Sequence, residues 1–396
     1  MDRNLRVLHV IPSISPLRGG PSRAVIDMVA ALRLQDVDAA ILTTNDHGPG
    51  LHPELVTGRW QWHQGVPVLA FPRWSPPVAA LREFAFSPAL SLWLTRNLKR
   101  YELLHIHALF SYPSTSAMAQ ARWAGVPYIL RSIGQLSPWS LAQSPGRKRL
   151  MLRLIERRNL QRAALLHFTT MAERDESAAL GLSPSSLVLP LGVGCPDLPS
   201  QPAGGADGSA TVRFLFLSRL HPKKQLENLL DALALLQRQR PEARWELTIA
   251  GDGEPRYVAA LQERTRNIGI DRSCRWLGFV EGEAKWQALK AADWYVLPSA
   301  AENFGIAAVE ALAAGTPVIL SPEVAVAADV LRSGAGLVCA SDPDALAQTL
   351  VLALERPSLS MRASTLNLVK MDFSWSTIAL QLRNAYSKVL TSSAGQ

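Results

Sequence analysis

Residues 294–320 constrain the fold more than any other stretch of this chain. Trp-Tyr-Val-Leu at 294–297 is short and wholly apolar, the pattern of a buried strand in a parallel sheet. Pro298 and Ser299 close that strand. A loop follows, and a helix is expected from near Phe304 and Gly305, carried by Ala, Val and Leu to a C-cap at Gly315. Pro317 then opens another strand. Strand, loop, helix and strand in succession form the repeating unit of a parallel α/β domain.

Two carboxylates lie eight positions apart in this unit, Glu302 in the loop and Glu310 in the helix. The amides of Asn303, Phe304, Gly305 and Ile306 fall at the helix N-terminus, where a phosphate is commonly held. A carboxylate beside such a cradle suits neutral hydroxyls, as a ribose diol does. Taken alone, the same two glutamates are far better read as a helix cap and a solvated helix residue.

The surrounding strings decide between these readings. Ser-x-x-Glu-Asn-Phe-Gly from Ser299 and Glu-Ala-x-Ala-x-Gly-x-Pro-Val-Ile from Glu310 closely resemble the signature of the retaining GT-B group 1 glycosyltransferases. The resemblance implies an α/β fold of two Rossmann-like domains facing across a cleft, with a last helix crossing back to the first domain. It also implies that Glu302 faces the transferred sugar and Glu310 holds the nucleotide ribose.

The chain restarts its pattern midway. Residues 7–14 form a first apolar strand, which runs into Pro16-Leu-Arg-Gly-Gly-Pro21 and a helix expected over 22–34. Residues 213–217 form a second such strand, which runs into Ser218-Arg-Leu-His-Pro-Lys-Lys-Gln225 and a helix over 226–238. The Pro-, Gly-, Asp- and Ser-rich stretch between them reads as a linker. The expected organisation is an N-terminal domain over 1–195, a linker over 196–210, a C-terminal domain over 211–372 and a crossover helix with tail over 373–396.

Arg219 and Lys224 stand just past the second of these strands, where cations can neutralise the charge growing on a departing diphosphate. Their string resembles the family's diphosphate-binding segment, which gives both residues a donor-binding and catalytic role. Relatives usually carry Gly where Gln225 stands. Gly19 and Gly20 let backbone amides approach a phosphate, but they are not a Gly-x-Gly-x-x-Gly fingerprint. In the family a Gly-Gly loop at this position closes over the donor phosphates. Gly251-Asp-Gly-Glu254 and Gly278-Phe-Val280 resemble its loops near the nucleotide.

A strand over 103–108 carries His105 and His107 on one face. His-Ile-His-Ala-Leu-Phe resembles the family's His-x-His segment, whose second His lies near the donor sugar. His107 takes that role, and His105 reads as packing. Many relatives have His where Ile133 stands, so any role of that side chain is absent or moved. Arg131, Gly134 and Trp139 are the acceptor-side candidates.

Net charge is +8, and the excess lies wholly in the first half. Residues 1–200 hold 21 Lys and Arg against 13 Asp and Glu, whereas residues 201–396 hold 20 of each. That half is expected to face a phosphorylated acceptor or a lipid headgroup rather than nucleic acid. Within it, residues 146–163 read as one basic amphipathic helix. Arg149, Arg153 and Arg157 form one stripe, and Leu150, Met151, Leu154 and Ile155 another. Such a helix can lie on an anionic membrane or pack on its own domain.

No apolar run is long enough to span a membrane, and the run Val7–Ile11 is too short and too quickly broken by Pro12 for a signal peptide. Cys195, Cys274 and Cys339 are widely spaced and read as free thiols of a cytoplasmic protein, peripheral at the inner face of the membrane if 146–163 docks there. Asp36-Val-Asp38 and Asp342-Pro-Asp344 read as turn and cap chemistry, so neither a metal nor a cofactor is expected. The donor is expected to be a UDP-, GDP- or ADP-sugar and the acceptor a glycan or lipid-linked glycan of bacterial surface polysaccharide or lipopolysaccharide synthesis. The rival readings are a sugar-nucleotide epimerase or phosphorylase on the same fold, and a non-catalytic partner of a transferase.

Overall fold

The computed structural model describes residues 5–78, 82–143, 145–182, 184–194, 211–355 and 361–394. The chain divides into one unit of Met1–Gly192 with Trp375–Gln396 and a second of Val193–Ser374. The linker expected over 196–210 and Cys195 lie outside the described residues.

The first unit is built on β1 (Arg6–Val10), β2 (Asp38–Thr44), β3 (Asp46–His47), β4 (Gly50–Leu51), β5 (Trp60–His63), β6 (Val66–Phe71), β7 (Leu103–His107), β8 (Tyr128–Arg131), β9 (Leu165–Phe168) and β10 (Ser186–Val188). Its main sheet runs β10-β9-β8-β7-β1-β2-β6-β5, while β3 and β4 form a small hairpin. Among the described strands of the main sheet, only β5 runs antiparallel to its neighbour. Winding reverses between β1 and β7, which pair directly. In such sheets ligands bind beyond the strand C-termini at that reversal.

The helix following β1 runs Gly20–Arg33 and buries Ala24, Val25, Met28, Val29 and Leu32 on one face. It starts earlier than the expected 22–34. Pro21 sits in its first turn, where a missing N–H costs no hydrogen bond.

The segment 146–163 is not the single helix expected. It runs as a helix Pro145–Met151, a π-turn Leu152–Glu156 and a helix Arg157–Gln161. Glu156 accounts for the break: it is fully buried, accepts a 2.9 Å bond from Asn159 Nδ2 and pairs with Thr115 Oγ1. The wider turn carries its carboxylate inward. Leu150, Leu154 and Ile155 are 58%, 67% and 43% exposed, so this apolar stripe is not core.

The last helix, Trp375–Ala394, belongs to the first unit. Gly192 shows how closely the chain meets it: a Cβ there would lie 2.4 Å from Trp375 Cδ2. Any larger residue would force the two apart.

The second unit contains β11 (Val212–Leu217), β12 (Trp245–Ala250), β13 (Cys274–Gly278), β14 (Trp294–Leu297), β15 (Val318–Leu320) and β16 (Gly336–Val338). They form an all-parallel sheet in the order β13-β12-β11-β14-β15-β16. This is the doubly wound order, with its reversal between β11 and β14. The strands are near-continuous apolar runs because helices cover both faces of such a sheet. Leu226–Gln239, the helix after β11, buries Leu226, Leu229, Leu230, Leu233 and Leu236.

The two Asp-x-Asp strings do take turn and cap positions. Asp36 adopts φ +59° in the turn before β2. Asp342 accepts a 3.0 Å bond from Ala345 N and so caps the helix Pro343–Glu355.

Candidate active site

In the second unit, residues from both sides of the β11/β14 reversal meet. After β11, His221 accepts a bond from Lys223 N and caps the turn Pro222–Lys224. That turn folds Lys224 inward, where its Nζ forms an ion pair with Glu302. Burial, with Lys223 and Arg219 beside it, lowers the Lys224 ammonium to about 7. The Glu302 carboxylate pulls the other way by favouring the charged form. Arg219 is exposed and has no carboxylate partner among the described residues. An exposed guanidinium and a buried ammonium at one strand end are well suited to an anion that brings its own charge.

Gly251 and Gly253 explain how the loop bearing Arg219 is held. A Cβ on Gly251 would lie 1.8 Å from Ser218 O, and one on Gly253 would lie 2.2 Å from Leu220 O. Only bare backbone can approach so closely, and Leu220 N donates to Asp252 O at 2.8 Å across the contact.

After β14 the loop is fixed by its backbone. Ser299 Oγ donates to Lys223 O at 3.1 Å, and Ala300 N donates to the same oxygen at 2.9 Å. Glu302 N donates to Glu323 O at 3.0 Å, and Glu302 O accepts from Ala325 N at 3.2 Å. Gly305 is the N-cap of the helix Ile306–Ala313, with φ +88°, and a Cβ there would lie only 2.9 Å from Val324 Cγ1.

The helix therefore begins at Ile306, slightly later than expected, and leaves its first amides without intrahelical acceptors. Asn303 and Ile306 are half-buried beside it. Phe304 was expected to contribute its amide, and its ring is buried and meets Phe373 edge-on at 5.8 Å between centroids. It anchors the loop and offers the site only its backbone.

Glu310 lies in the next turns of that helix and accepts a 2.6 Å bond from Lys285 Nζ. Lys285 comes from the helix Gly282–Ala291 that follows β13. Nothing local in Glu-Gly-Glu-Ala-Lys-Trp marks it, and the sequence analysis missed it.

In the first unit, Gly19 is the N-cap before Gly20–Arg33, with φ +82°, and Gly20 is the first helical residue. The loop before them is tied to β3. Arg18 donates to both oxygens of Asp46 at 2.7 and 2.9 Å, Arg73 Nη1 pairs with Asp46 at 2.5 Å, and Ser15 Oγ bonds His47 Nδ1 at 2.9 Å. Asp46, Arg73 and His47 are far from the Gly pair in sequence, and no motif announces them.

His107 ends β7, and its side chain has no exposed surface. Nε2 bonds His9 Nδ1 at 3.1 Å, while Nδ1 is buried without a hydrogen-bond partner. His105, on the same face, does more than pack. Its Nδ1 bonds Tyr386 OH at 2.7 Å and its Nε2 bonds His167 Nδ1 at 3.2 Å.

Arg131 is fully buried beside this group, and its Nε and Nη1 have no partner. Burial lowers its guanidinium to about 10, against the pull of Glu173. Strand register places His107 opposite Arg131, Arg131 opposite His167, and His9 opposite His105. His9, His105 and His107 bring one nitrogen each within 4.8 Å of one another. Both His105 nitrogens are already engaged and Arg131 adds a buried cation, so the set fits a hydrogen-bonded network better than a cation site.

Arg131 is thus interior rather than surface-exposed, as an acceptor contact would need to be. Gly134 turns at φ +68° and donates to Glu173 Oε1 at 2.7 Å. Ile133 adopts φ +53°, an outlier for a β-branched residue. Trp139 lies in the short helix Pro138–Ala142, and its side chain is outside the described residues. Ala108, Phe110, Ile133 and Gln225, all non-glycine residues at positive φ, follow β7, β8 and β11. Such strain gathers at functional ends of a sheet.

Comparison with known proteins agrees with this geometry. Residues 208–365 match the family profile of glycosyl transferases group 1, and residues 19–192 match that of the glycosyl transferase 4-like domain. The phosphatidyl-myo-inositol mannosyltransferase of Mycobacterium leprae is 30% identical over 396 residues, covering 98% of each chain. Two solved structures share the fold. The sucrose-phosphate synthase of Thermosynechococcus elongatus superposes with a TM-score of 0.77 at 18% identity, covering 98% of this chain and 100% of that one. HepE of Anabaena, solved with UDP and glucose, superposes with a TM-score of 0.72 at 20% identity, covering 97% and 100%. The chain belongs to the group 1 glycosyltransferases and has their GT-B fold.

Proposed function

We propose that this glycosyltransferase moves a sugar, with retention of anomeric configuration, from a nucleotide-diphosphate sugar to a glycan or lipid-linked acceptor of bacterial surface polysaccharide or lipopolysaccharide synthesis. The observation that carries the reading is the arrangement at the β11/β14 reversal. Exposed Arg219, buried Lys224 and the Lys224–Glu302 ion pair stand there together, with Glu310 on the adjoining helix.

Arg219 and Lys224 hold the diphosphate, joined by the first amides of the helix Ile306–Ala313. Glu302, displaced from Lys224 by the incoming phosphate, turns to the hydroxyls of the sugar. Glu310, fixed by Lys285, accepts from the ribose diol. The bond from the anomeric carbon to the diphosphate oxygen breaks as the acceptor oxygen bonds to the same face of that carbon. The acceptor's proton passes to the leaving diphosphate, whose growing charge the two cations stabilise. In this scheme no metal is needed, because the cations do that work.

The first unit takes the acceptor, and its excess of positive charge suits a phosphorylated or lipid-linked one. The named substrate of the Mycobacterium leprae relative is of that kind. Arg149 and Arg153 are exposed next to exposed Leu150 and Leu154, which supports peripheral contact of this segment with an anionic membrane. No helix of the described residues is long and apolar enough to cross a membrane.

A thermal-shift screen with UDP, GDP, ADP and their sugar conjugates, with and without EDTA, tests the donor half. Stabilisation by one nucleotide, unchanged by EDTA and lost in Glu310→Ala, is expected. Turnover of the matching sugar nucleotide, with the product's anomeric configuration read by NMR, tests the transfer. Binding of no nucleotide diphosphate would favour a non-catalytic partner. Turnover without an acceptor would favour an epimerase or phosphorylase.

A further inference from the structure

One cavity of the first unit lies away from the strand ends that carry His107 and Gly19. It has a volume of about 1010 Å³ and opens at the N-terminal ends of β8, β9 and β10, beside Tyr128, Leu165 and Ser186. The chemistry of sheets of this kind is conducted at the opposite, C-terminal ends.

Its lining is cationic. Arg122 reaches it from the helix Tyr112–Ala124, Arg158 and Arg162 from the chain before β9, and Lys388 from the last helix. Among the described residues, no Asp or Glu lines it. None of the four cations has an ion-pair partner among the described residues, and Arg122 Nε is buried with no hydrogen-bond partner. Four like charges around one cavity repel one another, and an unpartnered guanidinium nitrogen carries a desolvation cost. Both are relieved by a ligand that brings several negative charges. Glutamine, asparagine and serine side chains on the same walls supply neutral donors to phosphate oxygens.

We infer that this cavity is a second anion site, for a ligand with clustered phosphates, separate from the donor site of the second unit. Arginine forks and a lysine point charge match phosphate groups better than they match a single carboxylate. Free phosphorylated compounds and phospholipid headgroups share this chemistry.

The test uses the full chain and inorganic tripolyphosphate as probe, followed by thermal shift at low and moderate salt. Saturating probe is expected to raise Tm by roughly 3–6 °C, with the gain shrinking as salt rises. The exposed pair Arg158→Gln/Lys388→Gln removes two cations without touching the core and is expected to abolish most of the gain. Arg219→Ala, in the donor site, is expected to leave it intact. No gain in the unaltered protein would overturn the inference. So would a gain kept in Arg158→Gln/Lys388→Gln but lost in Arg219→Ala, since the probe then sits among the donor cations.

Vesicles of phosphatidylcholine with and without phosphatidylinositol 4-phosphate separate the two sources. Flotation with the anionic vesicles that is lost in Arg158→Gln/Lys388→Gln assigns a headgroup. Tripolyphosphate binding without flotation assigns a free phosphate compound.

Discussion

Lys285 Nζ stands 2.6 Å from Glu310 Oε1, and the two belong to neighbouring helices of the second unit. A charge-assisted bond of this length fixes one carboxylate oxygen and leaves the other with its acceptor capacity. If that oxygen receives the ribose diol, Glu310→Ala removes hydrogen bonds to a charged acceptor, which are worth about 1.5–3 kcal/mol. The expected result is a rise in nucleotide Kd of roughly 10- to 100-fold by calorimetry. Lys285→Ala keeps the carboxylate but frees its rotamer, so a smaller loss is expected. Equal affinities in all three proteins would remove Glu310 from the nucleotide site.

Lys224 gives the protein a pH dependence near neutrality. Its ammonium is lowered to about 7 from an ordinary value of 10.5. The unfolded chain therefore binds more protons than the native one between those values. The stability cost of this residue is complete below pH 7 and eases as pH rises toward 10.5. Donor binding follows the opposite course, because the diphosphate needs the charged form. The donor KM is expected to climb between pH 6.5 and 9 and to stay nearly flat in Lys224→Arg, measured in one buffer series at constant ionic strength. A KM that climbs equally in both would assign the titration to another group.

Gln225 adopts φ +52°, ψ +41°, immediately before the helix Leu226–Gln239. A side chain in the left-handed region costs about 1–2 kcal/mol, and glycine escapes this at an entropic cost of about 0.5–1 kcal/mol. Gln225 Oε1 is moreover buried without a partner. Gln225→Gly is expected to stabilise the protein by about 1 kcal/mol, read from urea unfolding of the second unit's transition. A destabilised variant would mean that the Gln225 side chain carries packing that offsets its backbone strain. Glycine, which the family resemblance leads one to expect here, takes this geometry without strain.

What the sequence made legible follows from chain distance. Arg219, Lys224, Glu302 and Glu310 sit in short strings tied to strand ends, and strand order alone brings the first three to one reversal. Lys285, Asp46 and Arg73 act through contacts made by tertiary folding, so no local pattern shows them. The π-turn at Leu152–Glu156 escaped because a helical charge stripe is blind to one carboxylate that must be buried. The histidine network did leave a signal. Leu-His-Val in β1, Leu-His-Ile-His in β7, Leu-Arg at the end of β8 and Leu-His-Phe in β9 each place a cationic type inside an apolar strand. Aligned as neighbours of one parallel sheet, these positions fall on a common face.

That network makes a prediction of its own. Burial, with Arg131 and His167 nearby, lowers His9 to about 3. Burial, with Arg131, lowers His167 to about 4, and burial holds His105 and His107 well below 6.5. As pH falls below 6.5 the unfolded chain protonates these imidazoles and the native chain does not. Each then costs about 1.4 kcal/mol per pH unit until its own folded value is reached. Several kcal/mol should be lost between pH 7.5 and 5, read as a lower urea midpoint for the first unit. Tyr386→Phe removes the 2.7 Å bond that ties the last helix to His105 and leaves Nδ1 buried and unpartnered, a cost of about 1–3 kcal/mol at any pH. The two effects separate cleanly: the acid loss should persist in Tyr386→Phe, displaced by a constant amount. An unchanged midpoint from pH 7.5 to 5 would mean that the four histidines reach water in the native protein and are not the closed network that the hydrogen bonds describe.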